Sequence, residues 1–324
     1  MVSPRSVVPT MADDDRSARL RQFFARYVAA QGRARDPRIA EAFAAVPRDI
    51  FAGPGPWSIK VPSQDGYLIT PDDDPAYLYQ NTLVAIDAAR GINIGEPSLH
   101  ACCLDAVSPR PGETVLQIGA GSGYYTAILA QLVGDGGRVH ALEIALDLAR
   151  RAAANLAEVP QATVECRSGL DPVLPRADIV YVSAGLPQIP AVWLDALKPG
   201  GRLIFPFQAS GGFGAMLRIE RPTAGGSPAA GTAIRVSTTG EVGPGAEIGV
   251  VGIGRSWPAR FITQATFIGC QGGQDDEAGR HLAAAMKSRR IDPVRSLRRD
   301  GTPDDTCWLR GDGWWLSTAE PEDA

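Results

Sequence analysis

Apolar residues recur at helical spacing near the amino terminus of the chain. They do so over 17–30 and again over 37–46, which predicts two short amphipathic helices. The Gly- and Pro-rich stretch that follows, to residue 75, is typical of a lid or connector. The apolar run 77–86 predicts an extended segment.

After residue 97 the pattern changes to short apolar runs that alternate with helical segments. Pro97 is suited to a first helical position, and the helix it opens is predicted to end near residue 107. Predicted strands follow at 114–118, 138–143, 162–166, 178–183 and 202–205. Because helices separate these strands, the pattern predicts an α/β fold with a central, mostly parallel sheet that is flanked by helices.

The last third of the chain has a weaker pattern. Small residues dominate 208–231, which is typical of a flexible hairpin or linker, and no function is assigned to it. Further strands are predicted at 233–236, 246–253, 261–268, 294–297 and 307–315, with a helix at 277–287. Trp308, Trp314 and Trp315 are interpreted as the core of a small α+β extension, rather than as a platform for stacking a peptide.

These elements predict three regions. An amino-terminal tail, helices and lid or connector occupy 1–75, a cofactor-binding core occupies 76–272, and the extension occupies 273–324. Residues 1–16 are polar and are expected to be disordered.

Composition narrows the function classes. The 324 residues carry a net charge of −4, so a nucleic-acid partner is not expected. No apolar run approaches the roughly 18 residues of a membrane span, and no secretory signal precedes the first helix. Five cysteines lack metal-binding spacing. We therefore expect a soluble, cytoplasmic protein with reduced thiols, no metal and no membrane partner, whose oligomeric state is undetermined.

A glycine-rich turn follows the strand at 114–118. Gly119, Gly121 and Gly123 permit a tight turn from strand to helix, and Glu143 ends the next strand, where a ribose diol needs an acceptor. Dinucleotide folds have the spacing G-x-G-x-x-G, which places a pyrophosphate on the helix. The G-x-G-x-G spacing here leaves no room for a pyrophosphate, which favours S-adenosylmethionine as the cofactor. Gln117 occupies the position where the motif of such enzymes often has an acid.

Four blocks of sequence make the chain similar to the protein-L-isoaspartate O-methyltransferase family. They read AFAAVPRDIF, INIGEPSLHACCLDAV, VLQIGAGSGYYTAILAQLVGDGGRVHALEI and DIVYVSAGLPQIPAVWLDALKPGGRLIFPF. The resemblance implies a Rossmann-like class I methyltransferase that transfers a methyl group from S-adenosylmethionine to the carboxylate of a peptide or protein.

The resemblance also implies roles for particular residues. It implies that the three glycines and Glu143 bind the cofactor. His100 matches a histidine that many family members have. The family's turn after the third strand contacts adenine and is replaced here by 167–169, so Ser168 and Gly169 are included. Gln117 and Tyr124 complete the predicted cofactor set.

One loop departs from the family pattern. The family reads T-I-S-x-P, and its serine hydroxyl sits beside the reacting carboxylate, whereas this chain has Asn93 and Gly95 in place of the threonine and serine. Asn93, Ser98 and His100 are therefore the predicted catalytic residues, and Glu96 is expected to point outward. The loss of the serine predicts poor activity on generic isoaspartyl peptides and dependence on a dedicated partner peptide.

Two other function classes fit the sequence less well. One is a methyltransferase that acts on a small molecule. The other is a nicotinamide-dependent oxidoreductase, or a module that binds the cofactor without catalysis.

Overall fold

The computed structural model describes most of the chain, and eight α-helices lie in the part it describes. The described residues are 11–61, 66–209, 212–223, 256–273, 275–288, 290–299 and 302–322. The helices are α1 (Met11–Gln31), α2 (Pro37–Ala45), α3 (Arg48–Ala52), α4 (Pro97–Val107), α5 (Tyr124–Val133), α6 (Leu146–Asn155), α7 (Ala191–Ala196) and α8 (Asp276–Ser288).

Fourteen strands lie in the same described ranges. Before the central sheet come β1 (Ser58–Lys60), β2 (Tyr67–Ile69), β3 (Ala85–Asp87) and β4 (Ile92–Asn93). The sheet itself contains β5 (Thr114–Ile118), β6 (Arg138–Glu143), β7 (Ala162–Cys166), β8 (Ala177–Val182), β9 (Leu197–Gln208), β10 (Gly214–Glu220), β11 (Ser256–Ala265), β12 (Ser296–Arg298), β13 (Cys307–Gly311) and β14 (Trp314–Ser317).

The central sheet has ten strands in the order β13-β14-β12-β11-β10-β9-β8-β5-β6-β7. The pairs from β9 to β7 are parallel, and every pair from β9 to β13 is antiparallel. The chain passes from β5 to β6 and β7 on one side and returns to β8 on the other. This reversal opens a crevice at the carboxyl ends of β5 and β8, where α/β folds bind their ligands.

Helices cover both faces of the sheet, as the alternation of elements predicts. On one face, buried side chains of α1, α2, α4 and α5 pack against sheet residues such as Val115 and Tyr181. On the other face, Trp193 of α7 and Leu282 of α8 pack against Leu116 and its neighbours. The α/β class and the parallel half of the sheet are therefore confirmed.

The boundaries of α4, β5, β6 and β7 agree with the predicted ranges, but other predicted segments differ. The run 77–86 is not one extended segment, because turns occupy most of it. Strand β10 lies inside the predicted linker 208–231, and the strand predicted at 307–315 is a hairpin that turns at Gly313 (φ +72°). The predicted strands at 233–236 and 246–253 lie outside the described residues.

The amino-terminal region is more ordered than the sequence predicts. Helix α1 begins at Met11, within the stretch that was expected to be disordered, and residues 1–10 lie outside the described part. Helix α2 is capped by Asp36, whose carboxylate accepts the backbone N–H of Arg38 at 3.0 Å.

The carboxyl-terminal strands continue the main sheet. Strand β12 pairs with β11, so the extension shares hydrogen bonds with the core. Trp308, Trp314 and Trp315 are buried, which confirms their interpretation as core residues. No helix in the described part of the chain is long and apolar enough to cross a membrane.

Trp314→Ala tests how tightly the extension is joined to the sheet. The Trp314 ring packs edge-on against Phe207 at 5.9 Å between centroids, so truncation should lower the free energy of unfolding by about 3–5 kcal/mol. Urea unfolding at equilibrium measures this change. Phe213→Ala is the matched control, because that ring is 90% exposed and its loss should leave stability within about 0.5 kcal/mol. Equal stability of both variants would contradict a shared core.

Candidate functional site

One large cavity opens at the crevice between the carboxyl ends of β5 and β8. Its volume is about 1190 Å³. The glycine turn, Glu143 and 167–169 line one half, and the loop 92–100 lines the other. The structure therefore brings the predicted cofactor and catalytic segments together around one space.

The glycine turn depends on backbone conformations that side chains resist. Gly119, Gly121 and Gly123 have φ angles of +81°, +58° and +94°. A Cβ at Gly123 would also lie 2.9 Å from Leu156, so both conformation and space require glycine at this position. Gly119 and Gly121 line the cavity, whereas Gly123 is the N-cap residue directly before α5.

Glu143 holds this turn in place. One carboxylate oxygen accepts the backbone N–H of Gly121 at 2.8 Å, and the other accepts that of Ala145 at 3.0 Å. A carboxylate has about four acceptor positions, so two remain for a ligand. Because Glu143 also lines the cavity, it can accept a ribose diol while it keeps the turn folded.

Two buried hydroxyls at the cavity have no partner among the described residues. These are Ser122 Oγ in the glycine turn and Ser183 Oγ directly after β8, and both residues line the cavity. Buried hydroxyls are normally hydrogen-bonded, so these two indicate positions that a ligand or water completes. Ser183 is not among the residues predicted from the sequence, although its place at the carboxyl end of a parallel strand is a signal for ligand contact.

The remaining predicted cofactor residues have different surroundings. Ser168 and Gly169 line the cavity, and Ser168 Oγ accepts the backbone N–H of Leu170 at 3.1 Å. Tyr124 lines it as well, and its buried hydroxyl has no partner among the described groups. Gln117 is not brought to the cavity. Its amide oxygen accepts the hydroxyl of Thr126 at 2.6 Å, which ties β5 to α5.

The loop at 93–95 is held in a tight turn. The side-chain oxygen of Asn93 accepts the backbone N–H of Gly95 at 2.9 Å, and Asn93 Nδ2 lies 3.3 Å from the Tyr67 hydroxyl. Gly95 has a φ angle of +92°. Asn93 lines the cavity, but its amide is used to shape the loop.

Ser98 and Glu96 form a polar cluster with Asn81. The Ser98 hydroxyl donates to Glu96 Oε1 at 2.8 Å, and Asn81 Nδ2 donates to the same oxygen at 2.9 Å. The backbone N–H of Ser98 donates to Asn81 Oδ1 at 2.8 Å. The expectation that Glu96 points outward is therefore wrong, because the cluster holds its half-buried side chain at the cavity wall.

His100 is buried and neutral. Its ring stacks on Tyr125 with 3.5 Å between centroids, and Nδ1 lies 2.8 Å from the hydroxyl of Tyr181. Burial, reinforced by the charge of Arg48, lowers the pKa of His100 from 6.5 to about 3. If Tyr181 donates to Nδ1, as we assign, the ring proton resides on Nε2, which faces Gly95.

Arg48 organises the loops around this histidine. Its guanidinium is fully buried and donates to the carbonyls of Leu78, Gln80 and Thr82 at 2.7–3.0 Å, with Gly95 O at 3.5 Å. No carboxylate of the described residues pairs with it. Backbone dipoles and the nearby rings of the core therefore stabilise this buried charge.

The hairpin of β3 and β4 covers the glycine turn. The end of the Ile86 side chain lies 3.4 Å from the position that a Cβ at Gly121 would occupy. Arg90 pairs with Asp87 at 2.7 Å and also with Asp147 at the start of α6. Gly53, Pro54 and residues 56–58 line a second, smaller pocket. The predicted role of 53–75 as a lid stays a prediction.

Within the described ranges, no group of three or more His, Cys, Asp or Glu residues is arranged to hold a metal ion.

Comparison with known proteins gives a consistent result. Residues 64–227 match the family model described as protein-L-isoaspartate(D-aspartate) O-methyltransferase. The protein-L-isoaspartate O-methyltransferase of Methanopyrus kandleri is 33% identical over 203 residues, which cover 60% of this chain and 80% of that protein. A Rhodopseudomonas palustris protein with the name protein-L-isoaspartate O-methyltransferase 1 is 32% identical over 228 residues, or 68% and 83% of the two chains.

Solved structures support the fold. A protein-L-isoaspartate O-methyltransferase superimposes with a TM-score of 0.54 and 20% identity, and covers 83% of this chain and 69% of its own. A Plasmodium falciparum protein of that description, in complex with S-adenosyl-L-homocysteine, superimposes with a TM-score of 0.52 and 16% sequence identity. The match covers 78% of this chain and 98% of that protein. At these identities the structures support the class I methyltransferase fold alone.

Gly95→Ser tests the packing at the loop. The family's serine is not simply restored by this change, because Gly95 has a φ angle of +92°, which serine resists. A Cβ would lie 2.5 Å from His100 Nε2, so we expect stability to fall by roughly 2–4 kcal/mol from strain and overpacking.

Gly91→Ser is the matched control for that experiment. Gly91 also has a positive φ, +69°, but nothing lies within 4 Å of its Cβ position, so it reports the strain alone. Thermal and urea unfolding of both variants measure the difference. An equal loss of stability in the two variants would show that the contact between the new side chain and His100 does not destabilise the fold.

His100→Phe tests the neutral state of the buried histidine. The unfolded chain binds a proton at His100 below about pH 6.5 and the folded chain only near pH 3, so this contribution to stability is complete above pH 6.5 and is lost as the pH falls. Between about pH 6 and pH 4.5 the free energy of unfolding should fall more steeply for the wild type than for the variant. The difference in slope should be about 1.4 kcal/mol per pH unit. Urea unfolding at several pH values measures both slopes. Parallel slopes would mean that His100 titrates normally in the folded protein.

Proposed function

The chain belongs to the protein-L-isoaspartate(D-aspartate) O-methyltransferase family, and we infer that its cavity holds S-adenosylmethionine beside a carboxylate of a peptide or protein substrate. The activity is S-adenosylmethionine-dependent methylation of isoaspartyl carboxylates, which is the activity of this family. The residue roles below are our proposal.

The observation that carries the residue roles is the continuity of one cavity from the glycine turn to the loop around Gly95. At about 1190 Å³ it exceeds the roughly 300–1,000 Å³ of a typical small-ligand pocket. Its size therefore suits a cofactor together with one residue of a second molecule. A site for a cofactor alone would not need the space beyond Gly95.

The cofactor half fits an adenosine compound that has no phosphate groups. We propose that Glu143 accepts the ribose hydroxyls, that Ser168 and Gly169 border the adenine, and that Ser183 supplies its unpartnered hydroxyl. The bare backbone at Gly119 and Gly121 allows close approach of the ligand. When bound, S-adenosylmethionine supplies an electrophilic methyl group on its sulfonium centre.

The acceptor half needs to position its substrate rather than deprotonate it. A side-chain carboxyl with a pKa near 4 is ionised at neutral pH, so no general base is required. The neutral, hydrogen-bonded state of His100 agrees with this requirement. Holding the carboxylate in line with the methyl group can lower the barrier by roughly 7–11 kcal/mol.

We propose that His100 orients the substrate carboxylate through the proton on Nε2. The other donors that the sequence suggests are already occupied: Gly95 N–H donates to Asn93, Ser98 N–H donates to Asn81, and the Ser98 hydroxyl donates to Glu96. In this proposal Asn93 and Ser98 are positioning residues that fix the loop. Gly95 leaves the approach to the imidazole open.

We also propose that the enzyme depends on a particular partner peptide and that it is cytoplasmic. Dependence on a dedicated partner peptide is supported by the missing hydroxyl at Gly95, which leaves more of the orientation to distant contacts. The buried tryptophans of the extension do not provide such a surface. A cytoplasmic location is supported by the cysteines, none of which forms a disulfide bond.

Glu143→Ala tests the cofactor site. Loss of the ribose acceptor should weaken the binding of S-adenosylhomocysteine by about 1.5–3 kcal/mol, measured by calorimetry, and NAD should not bind to the wild type. Glu158→Ala, at an exposed position outside the cavity, is the matched control. Binding of NAD without S-adenosylhomocysteine would support the oxidoreductase alternative instead.

Transfer itself is tested with labelled S-adenosylmethionine and isoaspartyl peptides. A carboxyl methyl ester is labile to base, so label that is released by mild alkali identifies a carboxylate as the acceptor. Label that resists alkali, or label found only on small molecules from a cell extract, would contradict a peptide carboxylate substrate.

A further inference from the structure

The wall of the cavity carries three arginines outside the segments of its cofactor half. They are Arg33 and Arg35 in the turn between α1 and α2, and Arg260 on β11. We call these three residues the basic arm. All three side chains belong to residues that are exposed, in a chain whose net charge is −4. The basic arm therefore contrasts with the overall charge of the protein.

Two carboxylates, Asp105 and Glu96, line the same cavity and offset part, but not all, of the charge of the basic arm. Asp105 accepts the backbone N–H groups of Arg35 and Asp36 at 2.8 and 3.0 Å, and its contact with the Arg35 guanidinium is loose, at 3.5 Å. The Glu96 carboxylate accepts hydrogen bonds from Asn81 and Ser98. Arg33 and Arg260 form no ion pair with any described residue.

Arg33 occupies a backbone position that favours glycine. Helix α1 ends in a Schellman-type turn, in which Ala34 N–H donates to Ala29 O at 2.9 Å and Arg33 has a φ angle of +53°. A left-handed conformation costs a residue with a long side chain on the order of 1 kcal/mol. An arginine at this position therefore lowers stability where glycine or asparagine would not.

Arg260 occupies a position that is unfavourable for another reason. It lies directly across the sheet from Arg218, and opposed like charges destabilise neighbouring strands. Arg218 has Glu220 as a partner at 2.7 Å, whereas Arg260 lines the cavity. Two of the three arginines thus occupy sites where folding alone favours another residue, and both line the same cavity.

We propose that the basic arm selects acidic substrates, so that isoaspartyl peptides with Asp or Glu beside the reacting residue bind in preference to neutral or basic ones. This inference rests on the proposed function, because it places the flanking residues of the substrate against the basic arm. The exposed ring of Phe213, at the rim of the cavity, offers an apolar contact to the same peptide.

A peptide explains the basic arm better than a nucleic acid does. The arginines line a cavity that leads to the Gly95 loop, and they number only three, whereas nucleic-acid surfaces carry extended basic patches. Each exposed charge pair contributes about two- to fivefold to binding. Pairs with Arg33 and Arg260, which have no ion-pair partner among the described residues, are enough to rank peptides by their flanking charge.

The test uses isoaspartyl peptides that differ only in two flanking residues on one side, which are Glu-Glu, Gln-Gln or Lys-Lys, together with the mirrored set. For the wild type we expect KM for the better acidic peptide to be about tenfold below that of its lysine counterpart. The difference should shrink at high salt, because exposed charges are screened.

The variant for this test combines Arg33→Asn, Arg35→Gln and Arg260→Gln. Asparagine tolerates the left-handed backbone at residue 33, so the turn should stay folded. The triple variant should raise KM for the acidic peptide to that of the glutamine peptide, with unchanged affinity for S-adenosylhomocysteine. Arg280→Gln, on the exposed side of α8, is the charge-matched control and should leave the ranking unchanged.

Equal KM values for the three peptides, or an unchanged ranking in the triple variant, would overturn the inference. If no peptide is methylated although S-adenosylhomocysteine binds, the proposed function fails instead. Fluorescence anisotropy of the labelled peptides then tests the basic arm separately, with the same expected ranking. Displacement of the acidic peptide by RNA at a lower concentration than by unlabelled peptide would also count against a peptide ligand.

Discussion

The cavity depends on the contact between Glu143 and the backbone of Gly121. The turn after β5 places three glycines in the left-handed region, a shape that L-residues with side chains resist. The Glu143 carboxylate accepts the N–H group of Gly121 in the turn and that of Ala145 after β6, and so fixes the turn relative to the end of β6. A single acid at the end of a buried strand thus holds the protein loop and keeps acceptor positions open for a ligand.

A second constraint operates at the other half of the cavity. His100 is packed between the Gly95 loop and Tyr125, and its approach to the backbone leaves no room for a side chain at residue 95. Arg48 links this loop to the segment 78–82 through carbonyl groups alone. Because the core excludes water, protonating this imidazole or removing the carbonyl partners of this guanidinium would be costly. Specific contacts therefore hold the loop in place, which suits a reaction limited by orientation.

The sequence predicts the cofactor half well, because local signals determine it. Hydrophobic periodicity locates β5, β6 and α4, and the glycine spacing locates the turn, since both depend on near neighbours in the chain. Glu143 follows from its place at the end of a strand. Ser183 could have been found by the same rule.

The acceptor half depends on contacts between distant segments, and sequence patterns do not report these. The clash between a side chain at residue 95 and His100 involves tertiary packing, and so does the half-buried cluster of Glu96 with Asn81. Gln117 occupies the expected motif position, yet its amide turns toward Thr126. Strand β10 escaped prediction because glycine and small residues surround it.

The arrangement of the cofactor and acceptor halves is the central claim of this account. A crystal structure of the protein with S-adenosylhomocysteine tests it most directly. We predict that the ribose hydroxyls contact the Glu143 carboxylate, while the sulfur faces the half of the cavity formed by Gly95 and His100. A ligand bound outside this cavity, or one whose sulfur faces away from His100, would contradict the account.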